Sequence, residues 1–202
     1  VDHKDREAFQ EVDYRAFFGP LAKWATEIDN AARIPEFVSR AWRLALSGRP
    51  GPVVIGLPED MLTTQTSVEP CQPLEVAEAG VDLSQAEALT GILNGAERPL
   101  ILIGGGGWKG VGKAALQKFA ELHNFPVSAI FRYHDLIDNN SPVYVGDAGV
   151  GMAAHLAEMI KNSDVILAIN ARLGEAATQS WSLLEVPYPR QKLIHVQASD
   201  KE

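Results

Sequence analysis

From residue 84 onward, apolar positions follow two rhythms in turn. Short continuous runs at 100–103, 127–131, 165–169 and 193–196 predict buried parallel strands. Between them, apolar residues recur every three or four positions. Ser84-Gln85-Ala86-Glu87 reads as a capping box that opens a helix with Leu89, Ile92 and Leu93 on one side, closed near Asn94-Gly95. A second helix, 113–123, should bury Leu116, Phe119 and Ala120, and a third, 152–161, should bury Leu156, Met159 and Ile160. Strand-helix-strand units of this length predict the α/β class, with a parallel sheet covered by helices on both faces through right-handed crossovers.

The first third of the chain has one such unit. Pro35 suits a first helical turn, Val38, Ala41, Trp42 and Ala45 repeat at helical spacing, and Gly48 sits where a left-handed residue ends a helix. The run 53–57, stopped by Pro58, predicts a strand. Phe17, Phe18, Leu21 and Trp24 are expected in the core, with an interface as the other use. Residues 64–83 lose periodicity and predict a linker.

Composition narrows the function classes. Hydrophobic residues at 46% and charged residues at 22% fit an ordinary folded domain and exclude collagen-like or disordered classes. A net charge of −8 argues against nucleic acid, whose phosphates demand clustered cations. No apolar run is long enough to span a bilayer. The single cysteine, Cys71, allows no intrachain disulfide, so a cytoplasmic location is expected. The charged start is unlike a signal peptide. A first residue other than Met and an end just past an apolar strand read as a piece of a longer polypeptide.

Candidate chemistry gathers at the expected carboxyl ends of strands: Gly104, Gly105 and Gly106, then Arg132, Arg172 and Ser199. Gly105 to Gly110 matches G-x-G-x-x-G, a dinucleotide fingerprint, with Arg132 near the place of the usual ribose-binding acid, which would suit the 2′-phosphate of NADP. Gly107 to Lys113 matches G-x-x-x-x-G-K, yet Ala114 replaces the metal-holding hydroxyl of a P-loop. The alternative is a tight turn that lets helix pack on strand. Motifs of serine hydrolases, thiol redox proteins and zinc peptidases are missing. The histidines are scattered. His123 should cap a helix end, His155 lie on a helix flank, and His195 play a hydrogen-bonded structural part.

Three stretches carry a resemblance. Glu7-Ala8-Phe9-Gln10-Glu11, then Ser47-Gly48-Arg49-Pro50-Gly51-Pro52-Val53 through Leu57-Pro58-Glu59-Asp60, then Ile103-Gly104-Gly105-Gly106 resemble the acetolactate-synthase-like group of thiamine-diphosphate enzymes in order and spacing. The resemblance covers the whole chain, and S-G-R-P-G-P-V with L-P-x-D is its specific part. It implies that residues 1–63 end a pyrimidine-binding domain, that 64–83 link, and that 84–202 form most of a Rossmann-like, six-stranded central domain truncated at its C-terminus.

The resemblance further implies a transferase or lyase that makes or breaks a carbon-carbon bond next to the carbonyl of a 2-oxo acid. Thiamine diphosphate and magnesium would serve the longer parent, a homodimer or tetramer. The cofactor's glutamate and metal element would lie outside this chain, which alone should be inactive, with no catalytic residue and no metal site. Phe9, Gln10 and Glu59 would rim the substrate cavity. Glu59 stands where acetolactate synthases carry a lysine, which should disfavour anionic 2-oxo acids. Arg49, Gly104, Gly105, Gly106, Gly146 and Arg172 match positions lining a crevice for FAD or ADP, with Arg132 nearby. Arg172-Leu173-Gly174-Glu175-Ala176 and Gln197 depart from the synthases' flavin contacts, so FAD, ADP or an empty crevice all remain. Two other readings stand: an NADP-binding oxidoreductase fragment and a non-catalytic adenine-nucleotide-binding module.

Overall fold

The computed structural model describes residues 3–72, 74–76 and 80–198. The chain divides into two compact units, Val1–Ala79 and Gly80–Glu202. Ser199 and the other terminal residues fall outside the described set.

The first unit contains α1 (Tyr14–Phe18), β1 (Trp24–Glu27), a 3₁₀ turn at Ala31–Arg33, α2 (Ile34–Leu46), β2 (Val53–Gly56) and α3 (Glu59–Thr63). Local chemistry sets the boundaries. Asp13 caps α1 by accepting from the Ala16 N–H, Asn30 accepts from the Ala32 N–H, Pro35 lies in the first turn of α2, and Gly48 takes the expected left-handed φ of 54° after its end. Strands β1 and β2 pair in parallel, Trp24 opposite Val53 and Glu27 opposite Gly56.

The core expected here is sparse. Phe17 is 62% exposed and Leu21 74%, against the core expectation, and of the α2 stripe Val38 and Trp42 are exposed while Ala41 is buried. The reason is architectural: among the described residues a two-stranded sheet has too little face to cover three helices. Trp24 is half-buried, stacked on Phe37 at 6.0 Å with the Arg40 guanidinium 4.6 Å from its ring centre.

The second unit runs α4 (Leu83–Asn94), β3 (Pro99–Ile103), α5 (Gly110–His123), β4 (Val127–Ile130), a 3₁₀ turn at His134–Leu136, β5 (Tyr144–Ala148), α6 (Ala154–Asn162), β6 (Val165–Ile169), α7 (Glu175–Thr178) and β7 (Lys192–Val196). All pairs are parallel in the order β5-β4-β3-β6-β7, five strands where the resemblance implies six. Alternation in β3 builds two cores. Leu100 and Leu102 face one with Leu156, Ile160 and Ile166, while Ile101 and Ile103 face the other with Leu116, Ala120 and Val127.

Two boundaries differ from expectation. Asp82, not Ser84, caps α4: its carboxylate accepts from the Ser84 N–H at 2.8 Å and from the Ser84 hydroxyl. The acid two residues earlier takes the free amide, and the Ser84 hydroxyl is used up as a donor to it. Helix α5 starts at Gly110, three residues early, because its exposed first turn carries no apolar periodicity. Strand β5 escapes the pattern altogether, since a bulge near Gly146, with φ of 118°, breaks its alternation.

The amino end of the sheet is tied by Asp164. Its carboxylate accepts from the N–H groups of Glu97 at 2.6 Å and Arg98 at 3.0 Å, and its carbonyl accepts from the Lys192 N–H at 2.8 Å. One residue thus joins the starts of β3, β6 and β7.

Candidate functional site

The chain order of the second sheet reverses at β3. Strands β4 and β5 continue to one side, and β6 and β7 to the other, so the carboxyl ends of β3 and β6 flank the switch point where open α/β sheets hold ligands. Gly104, Gly105 and Gly106 leave β3 there. A Cβ on Gly104 would lie 2.4 Å from Ile130 Cγ1, and one on Gly105, at φ 66°, 2.5 Å from the Asn170 carbonyl oxygen. Packing therefore dictates those two glycines. Gly106 is different, with no atom within 4 Å of the added carbon.

Asn170 follows β6 at φ 51° and its Nδ2–H donates to the Gly106 carbonyl at 2.8 Å. Trp108 Nε1–H donates to the Gly104 carbonyl at 2.7 Å. Neither residue stood out in the sequence. The available signal was an Asn directly after an apolar strand, the residue type that tolerates left-handed backbone. Lys113 gives no support to a P-loop: it is on the second turn of α5 and pairs with Asp135 at 3.4 Å.

The remaining predicted residues of this rim spread along it. Arg172, exposed, lies two residues beyond Asn170. Arg132, exposed at φ 74°, follows β4 with its guanidinium 5.0 Å from the Phe131 ring centre. Gly146 is inside β5, separated from β3 by β4, and its carbonyl accepts from the Ser128 hydroxyl at 2.9 Å. His195 has a structural contact, its Nε2 lying 2.7 Å from the Ala171 carbonyl, which also accepts from Gln197 Nε2–H at 3.1 Å. His123, the last residue of α5, is tilted against Phe119 and stacked on Phe125, and His155 is exposed on α6.

One acid stands apart. Asp147, next to last in β5, keeps Oδ1 buried without a hydrogen-bond partner among the described residues. Burial pushes its carboxyl above the usual range, while His134 pulls it back down. Burial and the Asp147 charge together raise Tyr144.

In the first unit, Phe9, Gln10 and Glu59 line one open depression of about 1080 Å³. Phe9 is 93% exposed, and Gln10 takes φ 62°. Glu11 organises this loop. Its carboxylate accepts from the N–H groups of Asp5 and Ala8, which hold it below the usual carboxylate range. The wall also carries Asp29, Glu59 and Asp60, whereas the Lys4 ammonium is engaged by Glu27 at 3.1 Å. A second, apolar groove of about 590 Å³ lies between α2 and the segment around Val68, Cys71 and Leu74. Arg49 belongs to this unit, exposed in the loop after α2, and its carbonyl accepts from Lys23 Nζ at 3.0 Å.

Residues 86–202 match the family model described as thiamine pyrophosphate enzyme, central domain. The chain belongs to that family. It is 29% identical over 203 residues to the acetolactate synthase large subunit of Parasynechococcus marenigrum, covering 97% of this chain and 32% of that protein. It is 31% identical to the glyoxylate carboligase of Escherichia coli O157:H7, covering 95% of this chain and 32% of the relative. A probable acetolactate synthase large subunit of Methanococcus aeolicus is 29% identical over 97% of this chain and 33% of its own length. The chain thus spans about a third of the relatives it matches. This thiamine pyrophosphate family membership accounts for the whole α/β unit, and the NADP-oxidoreductase and free-standing sensor readings are not favoured beside it.

Proposed function

We propose that this chain is the middle section of a thiamine-diphosphate-dependent enzyme that makes or breaks a carbon-carbon bond beside the carbonyl of a 2-oxo acid. The observation that carries the reading is the central-domain match over 86–202 together with relatives that align along 97% of the chain, first unit included. Residues 1–63 then close the pyrimidine-binding domain, 64–83 link, and 84–202 supply the central domain of a cytoplasmic homodimer or tetramer.

Thiamine diphosphate supplies a nucleophilic carbon and an electron sink in such enzymes. Holding its diphosphate through magnesium calls for converging carboxylates or similar donors. Among the described residues no group of three or more His, Cys, Asp or Glu side chains is so arranged. In this reading the first unit contributes the cavity rim. Gln10 offers an uncharged donor and acceptor to a substrate oxygen, and Glu59 adds negative charge that works against an approaching anion. Among the described residues no helix is long and apolar enough to cross a membrane.

For the second unit the reading is an adenine-nucleotide crevice, ADP or the ADP half of FAD, at Gly104 to Gly106, with Arg132, Arg172 and Gly146 on the rim. The N–H groups of Gly105, Gly106 and Gly107 support it, because no group among the described residues accepts from them. Outward N–H groups on a strand-to-helix turn favour phosphate.

The test is to express the longer parent polypeptide with thiamine diphosphate and magnesium and to follow carbon dioxide release and carboligation from pyruvate and glyoxylate. Cofactor-dependent turnover of a 2-oxo acid by the parent, and none by the 202-residue chain, is expected. A parent that turns over no 2-oxo acid would overturn the reading.

A further inference from the structure

We propose that Asn170 is a positioning residue that shapes the glycine turn into an anion-binding cradle. The proposal rests on the nucleotide reading of that crevice and adds to it the group that fixes its geometry. Four observations carry it.

Asn170 bridges the switch point. Its backbone N–H donates to the Val196 carbonyl at 2.7 Å, and its side chain reaches across to the Gly106 carbonyl at 2.8 Å. One residue therefore links the carboxyl ends of β3, β6 and β7. The residue also holds a left-handed φ of 51°, which a glycine would adopt with less strain. Keeping an amide there supplies a donor that glycine lacks.

Two carbonyls of the turn are engaged within the fold. Asn170 occupies that of Gly106, and Trp108 that of Gly104 at 2.7 Å. The amides are left outward, since no group among the described residues accepts from the N–H of Gly105, Gly106 or Gly107. With left-handed φ at Gly105 (66°) and Gly107 (82°) and open space at Gly106, the turn presents N–H dipoles while two of its carbonyls are already hydrogen-bonded within the fold. That combination attracts a phosphate oxygen. An aspartate at position 170 would bring an acceptor against the Gly106 carbonyl and a negative charge to the same cradle. The neutral amide is thus the matching choice, and the ligand chemistry is a phosphate group, either within a nucleotide or as inorganic phosphate.

The experiment measures ADP and inorganic phosphate binding by calorimetry on the native chain, on Asn170→Gly and on Asn170→Asp. Thermal unfolding of all three is recorded alongside, with amide NMR shifts of Gly105, Gly106 and Gly107 during each titration. Native protein should bind ADP with shifts centred on those three amides. Asn170→Gly, which keeps the left-handed backbone, should weaken ADP about tenfold, the size expected for one lost hydrogen bond, with little change in melting temperature. Asn170→Asp should weaken it further, in a way that added salt reduces. Binding of phosphate as tight as ADP would assign the cradle to the free ion. Equal ADP affinity in native and Asn170→Gly, or a loss matched by a general loss of stability, overturns the positioning role alone. No binding of either probe by folded native protein, with the three amides unmoved, removes the nucleotide reading and the cradle with it.

Discussion

Both units of the chain use the same device, a helix crossing between parallel strands, yet they end up covered to very different degrees. In the first, the buried apolar side chains among the described residues are Ile28, Ala31 and Ala41, while Phe9, Phe17, Leu21, Trp42 and Leu62 stand exposed. In the second, β3 and β6 are shielded on both faces, with Ile101, Ile103 and Ile166 wholly buried. The crossover alone does not decide stability. A central strand needs neighbours on both edges and helices on both faces before its apolar run leaves water, and each buried side chain of this size then contributes about 1.5–3 kcal/mol.

The strongest way to break this comparison is to separate the parts. Residues 80–202 made alone should unfold in one cooperative transition followed by circular dichroism, and residues 1–79 should show none. A sharp transition in the smaller piece would mean that its exposed apolar faces matter less than argued. Single substitutions come next. Leu156→Ala, at a fully buried site, should cost about 2–5 kcal/mol in denaturant unfolding, against less than about 0.5 kcal/mol for Leu21→Ala.

Within the second unit the glycine turn offers a finer contrast. Gly104→Ala forces a carbon against Ile130 and should cost about 1–3 kcal/mol, whereas Gly106→Ala enters open space and should change stability by less than about 0.5 kcal/mol. If both variants melt alike, packing does not explain the first glycine. The smallest effect is a pH slope. Burial raises the Asp147 carboxyl above its ordinary 3.8, so the folded chain binds that proton more tightly than the unfolded one. Stability should therefore fall as pH rises from 3.8 through the raised folded value, and Asp147→Asn should flatten that part of the profile.

How far the sequence could be read follows the same division. The buried strands β3, β4, β6 and β7 announce themselves as apolar runs because both faces are covered. Strand β5, at the sheet edge with Gly146 in its middle and Asp147 after it, has no such run, and the bulge disrupts the period that would betray it. The short elements α1 and β1 were equally hidden, since five residues complete little more than one helical turn and four only two strand repeats. Of the candidate sites, glycines after an apolar strand were visible as a tight turn and a candidate for phosphate. Asn170, more than sixty residues away, was not, because its importance comes from a carbonyl that only the folded sheet brings within 2.8 Å. The Phe9, Gln10 and Glu59 group came from resemblance rather than pattern, and folding gathers all three around one depression.

The Asp164 clamp has a wider meaning for how such a protein can change. Three strand beginnings share one carboxylate and its backbone, so this margin of the sheet behaves as a hinge-free spine. The opposite margin, apart from the packed Gly104 and Gly105 and the Asn170 bridge, consists of connections that can lengthen, shorten or exchange residues without loosening that foundation. Diversification of ligand preference should consequently accumulate along one border of the domain, leaving the other as its fixed keel.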